Sequence, residues 1–170
     1  MGYDVTRLPR QANKGKLRFG PYEVESHCLP QLENYARYPG VNQFLGRLAA
    51  CLENSNSELG IIDVGAHCGD TTALIRSYTA LPILSIEGDP KLYALLQKNT
   101  SQFSDVTLLN CYVGETTGPV PVKIEKEGWN NTLVPSENSD RVLQIVRLDE
   151  LNDPGLTERK VGLIKVDTEG

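Results

Sequence analysis

The chain has 170 residues, a formal net charge of −5 and 39% hydrophobic residues, which suits one domain of ordinary size. It holds no run of about 20 apolar residues that would cross a bilayer, and no charged-then-apolar leader at its start. The expectation is a cytoplasmic protein without a membrane partner, in which the widely spaced Cys28, Cys51, Cys68 and Cys111 are free thiols and not a zinc site.

Residues 1–42 are predicted as an N-terminal segment and 43–170 as the ligand-binding domain. Arg7, Arg10, Lys14, Lys16 and Arg18 stand against Asp4 alone in the first twenty residues. Without interleaved aromatics, and in a net acidic chain, they read as a solvated tail and not as a nucleic-acid arm. Tyr22-Glu23-Val24 suggests a short strand. Gln43 to Cys51 carries Phe44, Leu45, Leu48 and Ala49 on one helical face and is expected to pack beside the sheet as a lid or end cap.

The run Ile61-Ile62-Asp63-Val64-Gly65-Ala66-His67-Cys68-Gly69-Asp70-Thr71-Thr72 is the most informative. An apolar strand leads through a glycine turn into a helix start, the arrangement by which α/β folds hold nucleotide-like ligands. Gly65 and Gly69 permit positive φ and close backbone approach, and Asp70, Thr71 and Thr72 can cap the helix. A Walker loop needs Lys then Ser or Thr after its last glycine, where this chain has Asp70; the dinucleotide fingerprint needs a third glycine that is absent. The remaining pattern suits a ligand with an ammonium group, which Asp63 can attract. S-adenosylmethionine carries one and has no phosphates.

Ile83-Leu84-Ser85-Ile86-Glu87 is a second apolar run ending in an acid, and Glu87 is placed to accept hydrogen bonds from ribose hydroxyls. Asp89 caps the next helix, Lys91 to Asn99, with Pro90 at its first position and Leu92, Leu95 and Leu96 on one face. Thr107 to Cys111 is predicted as strand three and Val161 to Val166 as strand four. Between them Val120 to Ile124 and Leu143 to Arg147 form a strand pair flanking a polar loop, Glu127 to Asp140, where Trp129 is a candidate pocket wall. Strands alternating with helices imply a parallel sheet with right-handed crossovers, and continuous apolar runs imply cover on both faces.

Four stretches of this chain resemble the FkbM-type methyltransferases: Ile61 to Thr72, Ile86 to Pro90, Val106 to Asn110 with Tyr112 to Glu115, and Leu163-Ile164-Lys165-Val166-Asp167-Thr168-Glu169-Gly170. They keep the family's order and span roughly residues 40 to 170. His67 stands where the family usually has Asn, and Gly88 where it usually has Pro. The resemblance implies a Rossmann-like class I fold with helices on both faces of a parallel sheet, and three further strands beyond residue 170. Without those strands, strand four would be an exposed hydrophobic edge open to homo-oligomer formation. It also implies S-adenosylmethionine as cofactor, with Asp63, Gly65, Ala66, His67, Gly69, Thr71, Glu87, Gly88, Tyr112 and Val113 around it.

The function expected is methyl transfer to a hydroxyl of a glycan or secondary metabolite. Asp167 and Glu169, at the carboxyl end of strand four, are the candidate general bases; no metal is expected. Transfer to another acceptor class, a noncatalytic binding fold and a nicotinamide-dependent oxidoreductase are the competing readings.

Overall fold

The computed structural model describes residues 3–7, 15–126, 132–151 and 159–168, and the described residues form three sheets. The central one is parallel and built from the apolar runs: β4 (Leu59–Val64), β5 (Ile83–Ile86), β6 (Val106–Leu109) and β11 (Lys160–Val166). Their spatial order is β11-β4-β5-β6. The chain therefore steps outward from β4 through β5 to β6, then returns to the other side of β4 with β11. Strand three ends at Leu109, two residues short of the expected Cys111, because Asn110 turns to hydrogen-bond the carbonyl of Glu87.

Residues 15–26 are not a solvated tail. β1 (Tyr3–Arg7), β2 (Gly15–Phe19) and β3 (Tyr22–Ser26) form an antiparallel sheet. Leu17, Phe19 and Val24 alternate inward and join one core cluster with α1 (Leu29–Arg37), α3 (Asp70–Arg76) and α4 (Pro90–Thr100). The basic residues of this stretch lie on the alternate, outer positions, where Lys16 pairs with Glu23 at 2.6 Å. The expected boundary at residue 42 falls inside α2 (Pro39–Ser55). On that helix Ala49 is buried against the sheet, whereas Phe44 is 67% exposed, so the apolar face is narrower than its spacing suggests.

Among the described residues, helices cover one face of the parallel sheet and not both. Ile61 and Ile83 face α2 and α3. Ile62, Val64, Leu84 and Ile86 face the other way, against β7 (Tyr112–Val113) and the short 3₁₀ turn Leu148–Glu150. The chain after β6 makes a third sheet in the order β7-β10-β8-β9, from β8 (Gly118–Lys126), β9 (Thr132–Pro135) and β10 (Val142–Val146). The expected pair β8–β10 is antiparallel, with Leu143 opposite Val120. β9 lies within the stretch expected as a polar loop; Trp129 lies outside the described residues. Among the described residues β11 is an edge strand, with Val161, Ile164 and Val166 exposed.

Asp89 caps α4 as its sequence suggests, accepting from the backbone N–H groups of Lys91 and Leu92, and Pro90 opens the helix. α3 begins otherwise. Gly69, at φ 87°, is its N-cap, with no side-chain cap hydrogen bond. Arg76 at the helix's far end donates to the carbonyls of Thr79, Leu81 and Asp105, fastening it to the starts of β5 and β6. No helix among the described residues is long and apolar enough to cross a membrane.

Candidate functional site

The carboxyl ends of the parallel strands open into a cavity of about 670 Å³. It lies where strand order reverses between β4 and β11, the place where open α/β sheets bind ligands, and its size is in the small-ligand range of roughly 300–1,000 Å³.

Beneath it runs a polar row. Lys165, Asp63 and Ser85 are in register on β11, β4 and β5. Strand alternation turns Asp63 and Ser85 toward the α3 side, and Thr72 on α3 bonds both, at 2.9 Å to Asp63 Oδ2 and 2.8 Å to Ser85 Oγ. Lys165 Nζ lies 3.0 Å from Asp63 Oδ1 and donates to the Gly65 carbonyl at 3.0 Å. Oδ1 has no well-aligned hydrogen bond, so its contact with the ammonium is an ion pair. Burial pushes the Asp63 carboxyl up, against the pull of Lys165 and Thr72. Burial also opposes the charge on Lys165, yet Asp63 and Asp167 hold its ammonium above the ordinary lysine range. The acid in the strand is thus received by the protein itself.

Above the row the glycine turn brings two backbones together. Gly65, at φ 74°, packs so closely that a Cβ there would strike the Asp167 carbonyl. His67 follows at φ 51°, a left-handed position that His and Asn tolerate better than most residues. Its N–H donates to Glu87 Oε2 and that of Asp89 to Oε1, both at 2.8 Å. Each carboxylate oxygen keeps capacity to accept once more. Tyr112 lies over Gly88, where a Cβ would meet its ring, with the Arg141 guanidinium near its hydroxyl. Burial, then Asp89 and Glu87, push the Tyr112 hydroxyl up against the pull of Arg141, so it stays a neutral donor and acceptor.

Of the sequence-predicted site residues, Gly65, His67, Thr71, Glu87, Gly88, Tyr112, Val113 and Asp167 line the cavity. Asp63 and Ala66 are buried beneath it, and Gly69 packs on Leu96 and Thr100. Asp63 therefore does not offer its carboxylate to a ligand's ammonium: its charge is matched by Lys165. Glu169 lies outside the described residues. Sequence reasoning did not assign Lys165, although a lone cation inside Leu163–Val166 and a lone acid inside Ile61–Val64 are complementary signals. It also missed the α1 wall. There Tyr35 is buried and donates to the Asp70 carboxylate; burial and then Asp70 push its hydroxyl well up.

Charge limits what the cavity can take. Asp70, Glu87, Asp89, Glu115 and Asp167 line it, while the cations lining it among the described residues are Lys165, already paired, and Arg141. A pyrophosphate, with two negative charges, would face these carboxylates with Arg141 alone to offset it among the described residues; a cationic ligand would be attracted, and a single carboxylate can be met by Arg141. His67, Cys68 and Asp70 bring metal-ligating atoms within 4.8 Å of one another. Cys68 is fully buried in the core and donates its S–H to Asp70 at 3.7 Å, so these two of the three are already engaged with each other. No protein-family model matches the chain, and no curated protein matches it.

Proposed function

We propose that the protein is an S-adenosylmethionine-dependent O-methyltransferase of the class I, Rossmann-like type. The observation that carries this reading is the acid-lined cavity at the β4/β11 switch point, with Glu87 held at the end of β5 by two backbone N–H groups. The strand order β11-β4-β5-β6 supports it, since this is the arrangement around the ligand crevice of a doubly wound sheet.

The donor set fits the cofactor. Glu87 has acceptor capacity left for two ribose hydroxyls, and Gly65 and Gly88 leave their backbone open where a side chain would intrude. Asp70 and Asp167 offer negative charge to an ammonium or sulfonium. S-adenosylmethionine, when bound, supplies a methyl group on an electrophilic sulfur. The protein's work is then to align the acceptor and exclude water. Asp167 stands exposed at the end of β11 and is the group to take the acceptor hydroxyl's proton. Glu169 is the second candidate for that role.

Methyl transfer tests this directly. Incubation with methyl-labelled S-adenosylmethionine and a panel of hydroxylated acceptors should label an acceptor, and Asp167→Asn should reduce the rate by about 10²-fold or more while the cofactor still binds. Cofactor binding without transfer to any acceptor would favour a noncatalytic binding fold.

A further inference from the structure

The third sheet has an apolar face that lines the cavity. Strand alternation in β8, β9 and β10 puts Val120, Val122, Leu133, Pro135, Leu143 and Ile145 on that wall. The apolar pairing runs across strands as well: Leu143 stands opposite Val120, and Val122 opposite Pro135. Lys123, Val142 and Gln144 take the alternate positions, where Val142 is exposed. At the start of β10, Arg141 lines the same cavity. Its guanidinium lies beside the Tyr112 hydroxyl and, among the described residues, forms no salt bridge.

A glycan fits this wall poorly. Sugar hydroxyls set against valine and leucine would give up water without a replacement partner. A carbon skeleton gains from the same burial, and a carboxylate finds in Arg141 a planar, permanently charged donor fork. We infer that this wall and Arg141 form the acceptor subsite, and that the acceptor is a hydroxylated carboxylic acid with an aliphatic body. The carboxylate is held by Arg141, the body lies on the valine and leucine face, and the hydroxyl is left for the Asp167 end of the cavity. The hydroxyl's fate rests on the methyltransferase reading; binding of the acid does not.

The test is calorimetric titration of the full chain with β-hydroxydecanoate, its methyl ester and glucose, each with and without S-adenosylhomocysteine. The acid should bind saturably, the ester about tenfold more weakly and glucose not at all. Arg141→Gln should weaken the acid by about tenfold and leave the ester's affinity unmoved, and Arg141→Lys should regain part of the loss. Equal affinity of wild type and Arg141→Gln for the acid would overturn the inference, as would binding of glucose in preference to the acid, or no binding of the acid. If S-adenosylhomocysteine fails to bind, the methyltransferase reading falls. The acid's isotherm without it still decides the subsite.

Discussion

Lys165 Nζ sits 3.0 Å from Asp63 Oδ1, joining neighbouring strands across the point where the sheet's order reverses. Asp63 is fully buried and Lys165 nearly so, with 15% of its side chain exposed. The same ammonium holds the Gly65 carbonyl, so one ion pair fixes both the sheet and the turn above it.

Removing one partner strands the other's charge in the interior. Lys165→Met should cost about 3–5 kcal/mol of folding stability, the range for a broken buried pair. Lys165→Met with Asp63→Asn should recover much of that. Denaturant unfolding of wild type, single and double variants measures it; a single variant within about 1 kcal/mol of wild type would mean the pair is not desolvated.

The pair also sets an alkaline limit. The folded pKa of Lys165 is raised above the ordinary 10.5, so its stabilisation is complete below that pH and is lost as pH climbs through the folded value. Tyr35, raised well above 10.0, adds loss with the same sign. The stability difference between wild type and Lys165→Met should therefore be flat at neutral pH and shrink above about 10.5, as read from melting temperatures in a pH series.

Gly65→Ala tests the close approach of β4 and β11. A left-handed φ costs a non-glycine residue about 1–2 kcal/mol, and the new Cβ must also displace the Asp167 carbonyl. Stability should fall by about 2 kcal/mol or more, and cofactor affinity with it. An alanine variant as stable as wild type would contradict the geometry.

Glu87→Gln keeps one acceptor oxygen and puts an amide donor against a backbone N–H. S-adenosylhomocysteine affinity should drop about tenfold or more, as expected when a charge-assisted hydrogen bond is lost. The melting temperature should fall less than for Gly65→Ala. Unchanged affinity would show that Glu87 serves only the His67 and Asp89 backbones.

The parallel sheet was legible because each strand is a short apolar run and each turn has its own chemistry: Gly65 and Gly69 at positive φ, Asp89 and Pro90 at a helix start. The N-terminal sheet was not. Lys16 and Arg18 alternate with Leu17 and Phe19, and the charge count of that stretch concealed a period-two pattern that buries the apolar pair. The residues that line the cavity at strand ends were legible from glycines and acids next to apolar runs. The pairing of Lys165 with Asp63 was not, since register between strands so far apart in sequence is a property of the folded sheet. The apolar wall was hidden for a related reason: Leu133 and Pro135 lie in a stretch whose polar residues suggested a loop.

The most direct measurement is calorimetric titration of the full chain with S-adenosylmethionine, S-adenosylhomocysteine and the oxidised nicotinamide dinucleotide. The acid-lined cavity predicts saturable one-to-one binding of the two sulfur nucleosides, abolished or much weakened in Glu87→Gln, and no binding of the dinucleotide. Tight binding of the dinucleotide with no heat from either sulfur nucleoside would contradict it.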